Sequence, residues 1–498
     1  MKAKSQIRNG AILSYIAIFI NIAISLFYTP WMIKKIGVSD YGLYSLIYSF
    51  ISYFILDFGL SQAIQRFIAK YRAEENVDKV SKMIGLTTRV YLIIDAVILL
   101  VLFVLYFFIS SIFTGLTSTE IERLKGLYII AAVFSILSFM FKPMTGAMMA
   151  FEFFVEEKAL EMINKVGAVL GICIALALGA DVYALILING ACSLITSILK
   201  LVVFKRKTKL KIHWTYFDRQ DLRSVFSFSV WTFGNGLAQR MRLSLIPSVL
   251  GIFSNSAEIA IFAMGITLEG MVYTLSSAIN GLFLPTVSRM VANQKREELL
   301  PLMTRVGRIQ LFIIVLIFSG FLIFGKPFLH LWVGDSFMPV YYVLLLLIVS
   351  NLVSLTQRIA DDLIYVENRI KQITIRILVM SAIGLVLACF LAPRYGAIGC
   401  AIGTSFGLCA YQVSINRYYY NELGINVVEF FKECHFKIIP LLSIMVVVVM
   451  FLSKFFPTES WIGLFLCVSG YIVTYGLISY VFLFNKEEKN LIKSFIYK

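Results

Sequence analysis

The sequence predicts an all-α integral membrane protein with about fourteen transmembrane helices. Hydrophobic residues make up 59% of the 498 residues and charged residues only 15%, and the mean hydropathy is +0.84. These values lie far from those of soluble domains. Apolar runs of about 20 residues, the length that spans a bilayer, recur along the whole chain. Lysine and arginine concentrate in alternate connections between these runs, as the positive-inside rule requires.

The predicted spans follow one another with short connections. The first six cover residues 10–32, 42–66, 84–108, 127–150, 159–180 and 182–204. The next eight cover residues 226–250, 258–282, 307–329, 338–358, 371–392, 396–418, 436–456 and 461–484. Pro30, Pro143 and Pro247 are predicted to kink their helices. Because no connection is long enough for a soluble domain, we expect the function to lie inside the membrane.

Two parts of the chain share a pattern that indicates an internal repeat. Spans one and seven each carry a late proline, a glycine turn and a re-entering apolar helix, over Thr29–Leu46 and Ile246–Met264. Spans two and eight then leave the membrane through basic segments. Six spans separate the two copies, which indicates parallel repeats. The predicted parts are an N-terminal lobe over 1–204, a cytoplasmic linker over 205–225, a C-terminal lobe over 226–420, and two further helices with a cytoplasmic tail over 421–498.

The basic connections predict the orientation. The 200–223 connection carries Lys200, Lys205, Arg206, Lys207, Lys209, Lys211, Arg219 and Arg223. The connections on the opposite side are much poorer in lysine and arginine. The rich side is therefore predicted to be cytoplasmic, with both termini, in the cytoplasmic (inner) membrane of the cell. The first apolar run lacks a cleavage site and is expected to be a retained helix.

Composition and motifs exclude several classes of function. The net charge of +16 follows the membrane topology, so no nucleic-acid partner is expected. Seven cysteines are scattered singly without a CxxC pair, which argues against a disulfide framework and a zinc site. No GxxxxGK[ST] loop occurs, so ATP hydrolysis within this chain is not expected. We predict no cofactor and no metal.

Span seven carries two arginines, Arg240 and Arg242, near its middle. Each arginine costs roughly 2.5–3.5 kcal/mol at the centre of a spanning helix, so such charges face a bundle interior or a wet cavity. A structural ion pair between helices is the alternative. Other polar groups inside predicted spans are Asn21, Asp57, Asp95, Lys142, Asn164 and Glu269. Lys165 and Arg376 lie close enough to the cytoplasm for their charged ends to reach water.

These intramembrane charges predict an anionic substrate. Arginine suits phosphate because its planar guanidinium gives two parallel donors and stays charged. Glu269 is expected at the depth of the arginines and would neutralise one of them, which leaves the other for a phosphate or diphosphate. The predicted substrate-binding residues are Arg240, Arg242, Asn21 and Lys142. The predicted residues for coupling to an ion gradient are Glu269, Asp57 and Asp95.

Four stretches of the chain carry a family resemblance. They are Asn9–Leu46, DFGLSQAIQRFIAKY (Asp57–Tyr71), KPMTGAMMAFE (Lys142–Glu152) and YGAIGCAIGTSFG (Tyr395–Gly407). Together they resemble a polysaccharide flippase of the multidrug/oligosaccharidyl-lipid/polysaccharide exporter superfamily. The resemblance implies a two-lobed, V-shaped transporter that alternates between inward and outward openings. It implies a substrate of sugar units on a polyprenyl diphosphate, moved to the outer leaflet for a surface polysaccharide such as O-antigen or capsule.

The partners expected of such a protein are the lipid-linked glycan, membrane lipid, and the polymerase and chain-length machinery of the same pathway. Spans thirteen and fourteen would either line a groove for the polyprenyl chain or shield one lobe. Which glycan is carried stays open at this point.

Several alternatives remain open. A flippase of teichoic precursors and an ion-coupled exporter of another small molecule are alternatives. A flippase of peptidoglycan precursors is a further alternative but is disfavoured, because that relative carries functional arginines in its first helix, where this chain has Ser14, Tyr15 and Asn21. Ion-coupled drug exporters of the superfamily tend to have acidic cavities. A membrane enzyme would need an outer catalytic group, and only His330 and Asp335 are placed for one, so no enzymatic activity is expected. A purely structural role leaves the central arginines unexplained.

Overall fold

The computed structural model describes residues 22, 24–54, 57–208, 210, 213, 216–277, 283–453 and 458–490. These residues form helices joined by short turns. Ten helical stretches among them are long and apolar enough to cross a membrane. The chain is therefore an all-α, multi-pass membrane protein, as the sequence predicts. The number of fourteen spans stays a prediction.

The helices of the first half of the chain are numbered in order. They are α1 (24–36), α2 (Val38–Phe54), α3 (Leu60–Ala73), α4 (Val77–Ile112), α5 (Ser118–Phe139), α6 (Pro143–Ala150), α7 (Phe154–Ala177), α8 (Val182–Thr208), α9 (Arg219–Gln239) and α10 (Leu245–Phe253). A single π-helical turn, Arg240–Ser244, joins α9 to α10.

The second half continues the same numbering. Its helices are α11 (Ser256–Ser277), α12 (Leu284–Ala292), α13 (Leu299–Val333), α14 (Val340–Ser354), α15 (Arg358–Val366), α16 (Ile370–Glu422), α17 (Val427–Phe431), α18 (Lys437–Leu452) and α19 (Trp461–Ile478). Helix α16 is two helices that meet at a kink, where Gly396 has a φ of 51°.

Some predicted spans are divided into two helices. In span two, Phe58 and Gly59 both adopt left-handed backbone angles, with φ of 49° and 71°, and these angles separate α2 from α3. In span four, α5 ends at Phe139 and α6 begins at Pro143. A proline is tolerated at the first helical position because its missing N–H would have no partner there. At the predicted kink, the α-helix is interrupted by a short turn in which Met140 and Lys142 keep helical backbone angles.

The divided spans give the predicted repeat a structural counterpart. The short helix α3 packs on α6, and the short helix α12 packs on α15. A non-glycine residue with a left-handed backbone follows each of the four: Glu75 after α3, Glu152 after α6, Gln294 after α12 and Asn368 after α15. Left-handed residues commonly end helices. The same series of long and short helices therefore occurs twice along the chain.

The chain folds into two compact units. The first comprises Met1–Ala263 with Ile377–Gly403, and the second comprises Met264–Arg376 with Thr404–Lys498. The boundaries of the two lobes, the linker and the C-terminal pair of helices given above stay predictions.

Glu120, in the first turn of α5, connects the starts of α2 and α11 through hydrogen bonds. Its carboxylate accepts hydrogen bonds from the hydroxyls of Ser39, at 2.7 Å, and Ser256. Arg123 pairs with Asp40 at 2.6 Å in the same region. A side chain on Gly42 would overlap the backbone at Ser256, so glycine permits the start of α2 to lie against the start of α11. Polar contacts and close packing thus hold the α1–α2, α4–α5 and α10–α11 turns together.

In the second unit, α18 and α19 pack on α13. The hydroxyl of Tyr475 donates to the carbonyl oxygen of Phe312 at 2.8 Å. Arg308 of α13 and Glu488, beyond α19, form a buried ion pair with an N–O distance of 2.6 Å. The last two predicted spans are therefore fastened to α13 along their length. Whether they also form a groove for a lipid chain stays a prediction.

Candidate substrate cavity

The first unit encloses a cavity of about 930 Å³. Side chains from α1, α2, α5, α6, α7 and α8 line it, together with Arg240. Its walls are rich in tyrosine, serine, asparagine and lysine, side chains that would be costly to expose to lipid. Ligand sites commonly lie in cavities of this kind, with polar groups inside a bundle of apolar helices, so this cavity is the candidate site.

Two of the predicted substrate-binding residues, Arg240 and Lys142, meet at this cavity. Lys142 directly precedes α6, in the break within span four, and its Nζ lies 5.2 Å from the centre of the Phe139 ring. Asp57 and Arg240 both interact electrostatically with Lys142. Among the described residues, no carboxylate lies within ion-pair distance of Arg240. The part of Arg240 in binding an anion stays a prediction.

The backbone around Arg240 is unusual. Arg240 is the first residue of the π-helical turn, and π-turns inside α-helices occur frequently at functional sites. The wide turn also lies just before Pro247, which removes one backbone donor from α10. The hydroxyl of Tyr53 in α2 donates to the carbonyl oxygen of Ser244. This contact fastens the turn to α2.

A smaller cavity of about 390 Å³ lies on the other side of Arg240, which lines both cavities. Its walls include Asp57, Gln62 and Gln239. The rings of Phe58 and Phe233 stack across this region with centroids 5.1 Å apart. The break in span two therefore places Asp57, a predicted coupling residue, in the wall of the same small cavity as Arg240, the residue predicted to bind phosphate.

Asp57 is also held by several hydrogen bonds. Its carboxylate accepts from the backbone N–H of Ser61 at 3.1 Å and from the Ser61 hydroxyl at 2.8 Å. The hydroxyl of Tyr91 donates to it as well. The backbone N–H groups in the first turn of a helix have no hydrogen-bond partner within the helix, and a carboxylate can accept from one of them. Asp57 therefore stabilises the start of α3, and its part in ion coupling stays a prediction.

The other predicted site residues have different surroundings. Arg242 does not line either cavity, and its Nε is buried without a hydrogen-bond partner among the described residues. Asp95 is buried in α4, lines neither cavity, and its Oδ1 has no hydrogen-bond partner in the described part of the chain. Asn21 lies outside the described residues.

Glu269 belongs to the second unit. Its side chain is buried, and the amide of Asn351 donates to it at 2.6 Å. A buried carboxylate that accepts from a neutral amide keeps a hydrogen-bond partner in both of its protonation states, after reorientation of the amide. This arrangement fits a group that gains and loses a proton, which remains a prediction for Glu269.

Lys165, which the sequence places close enough to the cytoplasm for its charged end to reach water, lines the larger cavity with its neighbour Asn164. Among the described residues, Lys165 has no carboxylate within ion-pair distance. Lys200, also in the wall, is paired with the buried Glu157 at 2.6 Å. The tyrosines of α2 were missed as well, although their spacing in the sequence places them on one side of a helix. Within the described part of the chain, no group of three or more histidine, cysteine, aspartate or glutamate residues is arranged to hold a metal.

A cationic cavity within a multi-pass bundle, beside short interrupted helices, is typical of membrane transporters. The sequence matches the family described as "Polysaccharide biosynthesis protein" over residues 7–291. The chain belongs to this family.

The chain is also similar to known proteins outside this family match. The chain is 23% identical over 337 residues to the "Uncharacterized membrane protein EpsK" of Bacillus subtilis (strain 168). The aligned region covers 65% of this chain and 65% of that protein. The fold is similar to that of the "Lipid II flippase MurJ, inward closed conformation" (TM-score 0.70, 14% identity, 98% of this chain and 99% of that one). It is also similar to a multidrug resistance MATE family transporter in an inward-facing conformation (TM-score 0.67, 12% identity, 83% of this chain and 99% of that one).

Proposed function

We propose that this protein moves oligosaccharides linked to a polyprenyl diphosphate from the cytoplasmic to the outer leaflet of the cell membrane, for the synthesis of a surface polysaccharide. The observation that carries the proposal is the placement of Arg240 and Lys142 together in the wall of a large polar cavity. A diphosphate needs paired cationic donors, and the sugars need space and hydrogen-bonding groups. The polyprenyl chain would stay in the lipid.

The charge of the cavity supports an anionic substrate. Lysines and one arginine line it, while Glu161, the acidic residue of the lining, is engaged by Lys158 at 2.7 Å. The charges of Lys200 and Glu157 cancel each other in their ion pair. Arg240, Lys142 and Lys165 therefore give the cavity a net positive charge, which favours phosphate over a cationic drug.

A second candidate is a flippase of peptidoglycan or teichoic precursors, which the similarity of the fold to a lipid II flippase favours. Such lipids carry the same diphosphate, so Arg240 would serve both substrates. The difference lies in the sugar. Transport of lipid II in preference to a lipid-linked oligosaccharide would select this second candidate.

The experiment that tests the function is transport by the purified full-length protein in proteoliposomes. A fluorescent polyprenyl-diphosphate oligosaccharide is placed in both leaflets, and the fraction accessible to an added glycan-modifying enzyme is followed with time. We expect the protein to raise the rate of exchange between leaflets well above that of empty liposomes. A rate equal to that of empty liposomes, with folded protein, would contradict the proposal.

We further propose that both termini and the 200–223 connection face the cytoplasm, because the basic residues concentrate there. Reporter fusions after Lys211 and after Lys498 test this orientation. We expect cytoplasmic signals at both positions, and an external signal at either one would reverse the orientation.

We also propose that Glu269 couples transport to protons. Glutamine at this position keeps a similar shape and a hydrogen-bonding group for Asn351 but cannot ionise. A Glu269→Gln protein is therefore expected to transport at a rate that no longer changes with pH, measured in proteoliposomes from about pH 5.5 to 8.5. Glu429→Gln, which changes an exposed carboxylate at the start of α17, is the matched control. An unchanged pH profile in Glu269→Gln would leave Glu269 with a structural role only.

A further inference from the structure

We infer that the larger cavity has a separate sugar-binding face, formed by Tyr44 and Tyr48 of α2, Tyr28 of α1 and Asn189 of α8. This inference rests on the proposed function and adds to it, since it assigns the glycan to one wall and the diphosphate to Arg240 and Lys142. Selection among glycans would then depend on the tyrosine wall rather than on the cationic residues.

The tyrosines form a continuous aromatic surface. Tyr41, Tyr44 and Tyr48 follow one another at three- and four-residue steps in α2, so their side chains lie on one side of that helix. The ring centroids of Tyr44 and Tyr48 are 4.8 Å apart, and those of Tyr41 and Tyr44 are 6.4 Å apart. All three residues line the cavity. Tyr48 is 41% exposed, which leaves its ring accessible to a ligand.

Polar groups beside this surface are positioned to bind hydroxyls. The side-chain amide of Asn189 donates to the hydroxyl of Tyr44 at 3.2 Å and to the carbonyl oxygen of Leu185 at 2.9 Å. Both donors of the amide are thus used, and no described residue donates to its Oδ1. The hydroxyl of Tyr28 is buried without a hydrogen-bond partner among the described residues. Buried polar atoms without partners are rare, and each needs an explanation such as a ligand or a water molecule.

A sugar has the chemistry that these groups would recognise. One face of a pyranose ring presents C–H groups, which are attracted to the electron-rich face of an aromatic ring. Its hydroxyls both donate and accept, and they match the amide oxygen of Asn189 and the hydroxyl of Tyr28. A diphosphate needs none of these groups, because cations bind it. A polyprenyl chain would not need the asparagine. The combination of aromatic rings and neutral polar groups therefore fits a glycan.

The test compares two lipids on the purified full-length protein. One is a polyprenyl diphosphate without sugar, and the other is the same lipid carrying the oligosaccharide isolated from cells that make this protein. Tyr48→Leu removes the ring, and Tyr48→Phe keeps the ring without its hydroxyl. Tyr106→Leu, in α4 beside Tyr128 and outside the cavity lining, is the control for loss of a tyrosine.

We expect Tyr48→Leu to weaken binding of the glycan-bearing lipid by about three- to tenfold, the size of one aromatic contact. Binding of the bare lipid should stay unchanged, and Tyr48→Phe and Tyr106→Leu should bind both lipids as the parent does. Equal weakening of both lipids by Tyr48→Leu, or no weakening of either, would overturn the sugar-binding face. Arg240→Ala should weaken both lipids, so its failure to do so would instead contradict the proposed function.

Discussion

Replacement of Arg240 by alanine will abolish transport of the lipid-linked glycan while the protein remains folded in the membrane. Arg240 lines both cavities of the first unit, and no carboxylate among the described residues pairs with it. A hydrogen bond to a charged group contributes about 1.5–3 kcal/mol, so loss of the guanidinium lowers affinity for the diphosphate by roughly one to two orders of magnitude. The measurement is transport in proteoliposomes, with binding of the bare polyprenyl diphosphate measured in parallel.

Two further variants sharpen this result. Arg240→Lys keeps the charge but loses the planar pair of donors, so it is expected to retain part of the transport. Arg242→Ala is expected to have the smaller effect, because Arg242 lies outside both cavity linings. Arg289→Ala, in the last turn of α12 and exposed, is the control for loss of a positive charge. Full transport by the Arg240→Ala, Arg242→Ala double variant would remove both arginines from the mechanism.

Replacement of Arg308 by alanine will strongly destabilise the second unit. Arg308 and Glu488 are 7% and 5% exposed, and their ion pair has two hydrogen bonds, of 2.6 and 3.0 Å. The Arg308 guanidinium also donates to the carbonyl oxygens of Glu433 and Leu483. Removal of one partner leaves a buried charge unpaired, which costs about 3–5 kcal/mol. The expected result is a large loss of thermal stability in detergent, followed by the fluorescence of the tryptophans.

The adjacent ion pair gives a matched control. Arg305 and Glu487 lie 3.6 Å apart with side chains that are 50% and 67% exposed. Exposed pairs contribute about 0–1 kcal/mol, so Arg305→Ala should change the stability little. The double variant Arg308→Met, Glu488→Leu should recover most of the stability, because it removes both charges together. Equal effects of Arg308→Ala and Arg305→Ala would contradict the role of burial.

The sequence by itself determined the class of the protein. Long apolar runs, alternate basic connections and the lack of a soluble domain predict a multi-pass membrane protein, since the cost of exposing polar groups to lipid depends mainly on local composition. The cost of placing a charge in lipid also identified Arg240 and Lys142 as candidate site residues. Both residues line the cavity. The internal repeat was also readable, because its proline and glycine residues act on the local backbone.

Only the tertiary structure decided which of the polar residues face the cavity. Arg240 and Arg242 look equivalent in the sequence, yet residues two apart in a helical turn point to roughly opposite sides, and only Arg240 lines the cavity. Lys165 and the α2 tyrosines line the cavity because of the way α2, α7 and α8 pack together. This packing cannot be predicted from the amino-acid composition. The sequence predicts Asp57 as a coupling residue, and only the structure shows that its carboxylate accepts hydrogen bonds at the start of α3. The difference has one physical origin: insertion into lipid selects residues by their own chemistry, whereas a binding site depends on which helix faces are packed together.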